Sequence, residues 1–491
     1  MNTRRNYFYN VLSELITTLI PLITTPYVTR ILGTDGMGAY NYVLTIASYF
    51  VLFANFGIKV YGNRCIAQVR DDPDARNRVF SGIFRLQLCL SLPVSALYAG
   101  YAMLFAGDYA AIFAVFGINL ASAVLEITWL YYGMESFAPA AFSTIAVKVL
   151  AACAIFLTVK DHDDLWLYAL ICSLGVIAVQ LILWTGVFRF VRFVRVPFAE
   201  WKTHFLPCLA LLVPMLAPTL FRTMDKLMLE PISGKDAVGF YGAAEQLQTC
   251  MLGFITGLGT VMLPRISHLL VQNREAEAQD ALSHSLQFSL FLGCAFSFGI
   301  AAAADVFVPY YYGASFADAA SLTAVLAMSI LFISWAEVVR SQYIIPHKRD
   351  RIFLVSTLAG AVVNLVFNLI LIPLAAKYAD AFGLSSPAAG ALGALPGTVL
   401  GEAAVAVCQY LFLRKELPFR RYLRLCAVFP CAGILMLLCV KLLGAALTGA
   451  GVASPLLLLA AEVLCGAVVY LLITGIWYFR FRRDTLKLLF K

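Results

Sequence analysis

The residues able to do chemistry in this sequence are few, and most of them stand inside apolar stretches. Arg222, Asp225 and Lys226 interrupt the run 205–229. On a helical projection they share about 120° of arc with Pro214 and Pro218. A guanidinium and an ammonium on one such face make an anion site, because Arg holds phosphate oxygens bidentately and attraction strengthens where water is excluded. The same residues also read as an Arg222–Asp225 pair at i,i+3 that snorkels to an interface. The run 8–32 repeats the stripe with weaker groups: Asn10, Ser13, Glu14, Thr17, Thr18, Pro21, Thr24 and Thr25 fall within about 140°. Hydroxyls often bond back to their own helix, so the weight there rests on Glu14.

Other charges lie in apolar surroundings, where each costs about 2.5–3.5 kcal/mol even on a lenient insertion scale. Lys148 is central in 139–159, and Glu402 is central in the Gly/Pro-rich run 391–413. Glu402 suits either a proton carrier or a structural partner of Lys148. Lys59 and Arg85 fall near the inner ends of their runs, placed to reach headgroups; Glu245 and Glu337 also lie near run ends. Glu126, Lys441 and Glu462 complete the set. No GxxxxGK[ST] occurs, the five His lack metal spacing, and the twelve Cys include no CxxC. The sequence therefore offers no catalytic residues, no metal site and no cofactor. A membrane glycosyltransferase needs a substantial outside loop with catalytic groups, and the acidic cluster Asp161, Asp163 and Asp164 sits in a loop of only about five residues.

The elements that must hold these residues are membrane helices. The 491 residues are 61% hydrophobic and 13% charged, which is too little polar surface to cover a soluble fold or to keep a chain disordered. Mean hydropathy is +0.83. Fourteen apolar segments stand out: 8–32, 39–61, 81–104, 110–132, 139–159, 165–188, 205–229, 241–263, 285–305, 319–340, 352–373, 391–413, 423–445 and 454–479. Placing the amino terminus inside and alternating the loops puts 26 Lys/Arg on the inner face and four outside, namely Arg30, Lys160, Lys235 and Lys377. One miscounted span would spoil that asymmetry, so both termini are expected in the cytoplasm. The net charge of +8 is thus a topology signal, and nucleic acid is not a partner. The loop near 133–138 fits least, with Glu135 and no basic residue. The longest loops are about 374–390 outside and about 62–80 inside; the latter reads as a solvated turn at Asp71-Asp72-Pro73-Asp74, or a short surface helix around Arg76 and Arg78.

The chain repeats itself. Gly33, Asp35, Gly38 and Tyr40 recur at one offset of 201 as Gly234, Asp236, Gly239 and Tyr241, and the same register carries Arg64 onto Arg265. Five identities in one register indicate duplication. Each copy is read as a tight outside hairpin, with Gly permitting the turn, Asp accepting backbone N–H bonds and Tyr at the membrane interface. Six helices per unit is even, so the copies share one orientation. The expected architecture is an all-α polytopic membrane protein with two parallel six-helix lobes, 1–204 and 205–422, around a cavity. Two further helices and a basic tail occupy 423–491.

The segment Pro26-Tyr27-Val28-Thr29-Arg30-Ile31-Leu32-Gly33, followed by Gly38-Ala39-Tyr40, resembles the amino-terminal signature of bacterial polysaccharide transporters. These are the O-antigen, capsule and teichuronic-acid repeat-unit flippases of the multidrug/oligosaccharidyl-lipid/polysaccharide exporter superfamily. Thr223-Met224-Asp225-Lys226-Leu227-Met228-Leu229 and Val238-Gly239-Phe240-Tyr241 resemble the start of that family's second lobe. The resemblance spans essentially the whole chain. It implies a V-shaped fold that opens alternately inward and outward, in the bacterial cell membrane. The implied substrate is an undecaprenyl-pyrophosphate-linked oligosaccharide, with membrane lipids and polysaccharide polymerase machinery as further partners. The extra helices favour polysaccharide or lipid II flippases over twelve-helix drug or metabolite exporters. Arg222, Lys226, Lys148 and Arg30 then become substrate-binding candidates, and Glu14, Asp225, Glu402 and Asn10 cavity or coupling candidates.

Overall fold

Long runs of Leu, Ala, Val and Phe leave the backbone one way to satisfy its own polar groups in hydrocarbon, and each run is helical in the computed structural model. The structure describes residues 3–481, leaving aside the side chains of 3–12, 14, 15, 213, 260, 261, 382 and 481. Asn10 and Glu14 are among these, so those two candidates lie outside the described residues. No strand occurs among the described residues.

The chain divides into two compact units, Met1–Leu227 and Met228–Lys491. The first contains α1 (Thr3–Asn55), α2 (Ile58–Gln68), α3 (Pro73–Phe105), α4 (Ala110–Val124), α5 (Thr128–Gly133), α6 (Phe137–Thr158), α7 (Leu165–Gly186) and α8 (Phe198–Trp201). Helix α9 (Phe205–Ser233) carries the boundary. The second holds α10 (Lys235–Val271), α11 (Glu275–Tyr312), α12 (Ala319–Ala327), α13 (Ser329–Val339), α14 (Asp350–Lys377) and α15 (Ala379–Phe382). It continues through α16 (Ser386–Leu413), α17 (Phe419–Cys426), α18 (Val428–Gly449) and α19 (Pro455–Phe481). Within the first unit α1 packs against α3, α4 and α6, and α7 against α4 and α6. Within the second, α14 and α16 form the closest pair, and α11 joins α12 and α13 to α18 and α19.

Twelve helices among the described residues are long and apolar enough to cross a membrane, or thirteen if Phe198–Leu212 and Pro214–Ser233, bent by 44°, form one span. The first of them runs through Gly33, where φ 67° and ψ −174° leave the helical region. Its 53 residues would measure about 80 Å if straight, more than twice the hydrocarbon thickness. Taking it as two segments meeting at Gly33 gives the fourteen read from the sequence.

Contacts between loops group them by face as the alternation requires. Glu135 meets Arg70 at 2.5 Å, joining two loops that the charge pattern assigns to the same face. Arg349 with Glu416, and Arg421 with Asp280, do the same in the second unit. On the opposite face Asp35 meets His162 at 2.9 Å, and Ser385 donates to Asp318 at 2.8 Å.

The solvated turn at Asp71-Asp72 stands, and two alternatives for the loops fall away. Asp72 caps the N-terminus of α3 through Asp74 N and Ala75 N, and Pro73 opens one continuous helix, so no separate surface helix forms around Arg76 and Arg78. The 374–390 loop shrinks because α14 runs to Lys377 and α15 and α16 take up most of the remainder.

Candidate functional site

The cationic stripe on α9 is set by its neighbour α1. Thr223 Oγ1 donates to Thr219 O at 2.7 Å, which leaves Tyr49 as the donor to Thr223 Oγ1 at 2.5 Å. This fixes the rotation of α9 just where its charges lie. Asp225 is buried at 1% exposure, beside Tyr49, whereas Arg222 is exposed and Lys226 half-buried. Arg222 and Lys226, four residues apart, stand one above the other. Arg222 and Asp225 thus part company, one outward and one into the packed unit. The exposed guanidinium is left able to meet an anion, which Arg holds through paired hydrogen bonds. Tyr49 had no sequence signal, since a Tyr in an apolar run reads as core.

The remaining candidates are dispersed. Arg30 is exposed on α1, one turn before Gly33, and Lys148 is half-buried on α6 close to the Cys172 thiol of α7. Glu402 is half-buried on α16, in the second unit. That helix meets α14 through glycines. A Cβ on Gly393 would stand 2.4 Å from Leu371 O, and one on Gly360 would stand 2.8 Å from Gly401 O. Such small residues let membrane helices approach closely. The seam encloses Asn364 and Asn368, bonded to each other at 3.1 Å.

The repeat turns keep their backbone and change their Tyr. Gly234, at φ 81° and ψ 174°, reproduces Gly33. Both fall where only glycine is comfortable. Gly38 and Gly239 are buried, Asp35 takes the His162 ring, and Asp236 lies in the first turn of α10. Tyr40 and Tyr241 were expected at the interface but are 9% and 2% exposed. Tyr40 packs on Tyr168 of α7 with ring centroids 4.8 Å apart, and Tyr241 reaches Thr398 of α16 at 3.3 Å. Each ties its turn to the sixth helix of its own copy.

A polar network with no counterpart in the sequence reading surrounds the break between α4 and α5. Gln87, on α3, donates to the carbonyls of Ala123, Val124 and Glu126 at 2.9–3.1 Å. Trp184 Nε1 donates to Leu125 O at 2.9 Å. Ile127 N donates to Gln180 Oε1 at 3.2 Å, and Gln180 Nε2 donates to the Glu126 carboxylate at 3.1 Å. Glu126 also accepts from Thr128 N at 2.8 Å. These bonds replace those a continuous helix would have made, as a break at membrane depth requires. Arg85 likewise bonds the carbonyls of Val194 and Val196 instead of reaching headgroups.

Known proteins share both sequence and fold. A protein of Escherichia coli (strain K12) described as "Putative O-antigen transporter" is 23% identical over 428 residues, covering 85% of this chain and 98% of its own. The structure titled "Lipid II flippase MurJ, inward closed conformation" superimposes with a TM-score of 0.73 at 13% identity, over 98% of this chain and 100% of that one. An inward-facing multidrug resistance MATE family transporter of the MOP superfamily gives a TM-score of 0.61 at 16% identity, over 83% and 95%. Residues 3–270, more than half of the chain, match the family described as "Polysaccharide biosynthesis protein". This multi-pass membrane protein belongs to the polysaccharide biosynthesis protein family.

Proposed function

We propose that the chain is a flippase that carries a lipid-linked oligosaccharide from the inner to the outer leaflet of the bacterial cytoplasmic membrane, by alternating access. The family membership carries the reading, supported by a relative described as an O-antigen transporter and aligned over almost its whole length. The fold, shared end to end with a lipid II flippase, is one that suits the task. Both termini are assigned to the cytoplasm by the 26-to-4 distribution of basic residues. The two lobes are assigned as 1–204 and 205–422, with 423–491 as an addition, and no catalytic step is asked of any residue.

Within this reading Arg222 and Lys226 bind the pyrophosphate. The exposed guanidinium suits paired phosphate oxygens, and the ammonium one turn on adds a point charge. Lys148 and Arg30 are secondary contacts, and Glu14, Asn10, Asp225 and Glu402 belong to the cavity or to coupling. The test is export of the surface glycan in a deletion host supplied with variants. Arg222→Ala and Lys226→Ala should each lower export several-fold at unchanged protein level, with lipid-linked repeat units accumulating inside. Full export by the double alanine variant would reduce the pair to snorkelling residues.

A further inference from the structure

Three charged side chains outside the α9 stripe meet where α11, α18 and α19 pack. Asp305 lies seven residues before the end of α11, Lys441 eight before the end of α18, and Glu462 seven after the start of α19. At 1.5 Å per residue each is roughly 10–12 Å below its helix end, on the face that the charge pattern assigns to the outside. They form one charged layer near that end of the three helices.

The three are not equivalent. Lys441 Nζ meets Asp305 Oδ2 at 2.5 Å, and both side chains are substantially exposed, at 41% and 68%. Glu462 is 6% exposed and its Oε2 is buried with no hydrogen-bond partner. Its other oxygen lies against Gly444, where a Cβ would stand 2.6 Å away. Only glycine leaves room for the carboxyl group there. Gly444 is one turn beyond Lys441 on α18, so the ammonium that now serves Asp305 is tethered on the side of the helix facing Glu462. The charged groups facing Glu462 are Lys441 from α18 and Asp305 from α11, and α19 itself adds the Cys465 thiol one turn on.

An ionised carboxylate held there without a partner is costly, whereas a carboxylic acid is tolerated. We propose that Glu462 is a proton-binding site whose occupancy is exchanged against the Lys441 ammonium. In the arrangement seen, Lys441 neutralises Asp305 and Glu462 keeps its proton. When the Glu462 O–H bond breaks, the proton leaves to water along the exposed Asp305 side. Lys441 then turns from Asp305 to the new carboxylate, and Asp305 stays ionised in contact with solvent. The site rests on the membrane-spanning fold and is independent of which molecule the protein transports.

A membrane-permeant carbodiimide reads the site directly, since it modifies carboxyl groups in their protonated form. The full chain in liposomes would be treated with dicyclohexylcarbodiimide, and the Glu462 peptide quantified by mass spectrometry. Labelling should be strong near pH 6 and about tenfold weaker near pH 9, within the range documented for buried carboxyls. The Asp305→Asn/Lys441→Met double variant, which has no ammonium to replace the proton, should keep its label at the higher pH. Absence of label on the wild-type chain near pH 6 would overturn the proposal. So would identical pH profiles for wild type and double variant. Neither readout requires glycan transport, so failure here is distinct from failure of the flippase reading.

Discussion

The two copies of the repeat solve the same backbone problems with different side chains. Both turn at glycine, and both interrupt their fourth helix at matching positions, between Val124 and Thr128 in one and at Met328 in the other. In the first copy the freed carbonyls are taken up by Gln87 and Trp184. In the second the break is a single residue in near-helical geometry, and Ser297 donating to Ala327 O, with Gln248 donating to Ser329, accompanies it. Both copies keep buried polar atoms without partners, Asn119 Oδ1 and Ser173 Oγ in the first and a larger set in the second. Gln287 Oε1 has no partner, and Gln342, in the π-turn Arg340–Ile344 after α13, has neither amide atom satisfied. Duplication preserved what backbone geometry dictates, whereas the polar support was rebuilt separately. The break in the first copy has its freed carbonyls bonded; the second copy carries more of the orphaned polar atoms that another conformation could satisfy.

The largest contrast should come from two buried glutamines, Gln87 in the first copy and Gln287, one residue out of register, in the second. Gln87→Leu removes the amide that two N–H groups share among the carbonyls of Ala123, Val124 and Glu126, so the loss should be about 2–3 kcal/mol at about 1–3 kcal/mol per orphaned group. Gln287→Leu gives up only the bonds to Ser283 O and Oγ in its own helix and removes an orphaned oxygen, so it should be neutral within about 1 kcal/mol. Equilibrium unfolding in detergent measures both. Equal losses would mean that the two helix breaks are supported alike.

A second contrast lies where the helix after each turn continues. The first copy breaks at Phe56 and Gly57, with φ 44° and 74°, because α9 approaches so closely that a Cβ on Gly57 would stand 2.6 Å from Cys208 O. In the second copy α10 runs straight through the matching positions, Gly257 for Phe56 and Leu258 for Gly57, and a Cβ on Gly257 meets nothing within 4 Å. Gly57→Ala should therefore destabilise by about 2–3 kcal/mol, through the left-handed backbone and the contact with a carbonyl that cannot swing aside. Gly257→Ala should stabilise by about 0.5–1 kcal/mol, the ordinary helical gain over glycine. Opposite signs in thermal melts would confirm that the first copy uses a glycine hinge at this point and that the second needs none.

What the sequence made legible follows from the range of the physics involved. Apolar runs and loop charges are local, so the span count and the grouping of loops by face could be read directly. The turns at Gly33 and Gly234 could be read because one offset aligned them. Glu126 was visible as a charge in an apolar run, yet its role was not, because the partners that make Leu125-Glu126-Ile127 a break are Gln87 and Gln180, 39 and 54 residues away. Tyr40 and Tyr241 were misplaced for a related reason. Near a span end, the amphipathic ring suits the interface, and only the packing of α7 and α16 draws it inward. For the α9 stripe, helical spacing placed Arg222, Asp225 and Lys226 on one face. Spacing alone gave no sign that Asp225 would be buried while Arg222 stayed exposed.

The smallest expected difference is none at all, and it tests the repeat itself. Gly33 and Gly234 share a backbone conformation that costs other residues about 1–3 kcal/mol. Their surroundings differ only modestly: a Cβ on Gly33 would come 3.2 Å from Asp35 Oδ1, an atom at the end of a side chain, and one on Gly234 meets nothing within 4 Å. Backbone strain should therefore dominate both substitutions, and Gly33→Ala and Gly234→Ala should lower stability by similar amounts. Asp35 could add a little to the first by giving up its hold on His162, but that pair is partly exposed and worth at most about 1 kcal/mol. Measuring Gly33→Ala in an Asp35→Asn background removes this contribution and leaves the two turns to be compared directly. If the costs then still differ by more than about 1 kcal/mol, the shared dihedral angles do not set the energy of the turns, and the likeness between the copies is one of shape without common constraint.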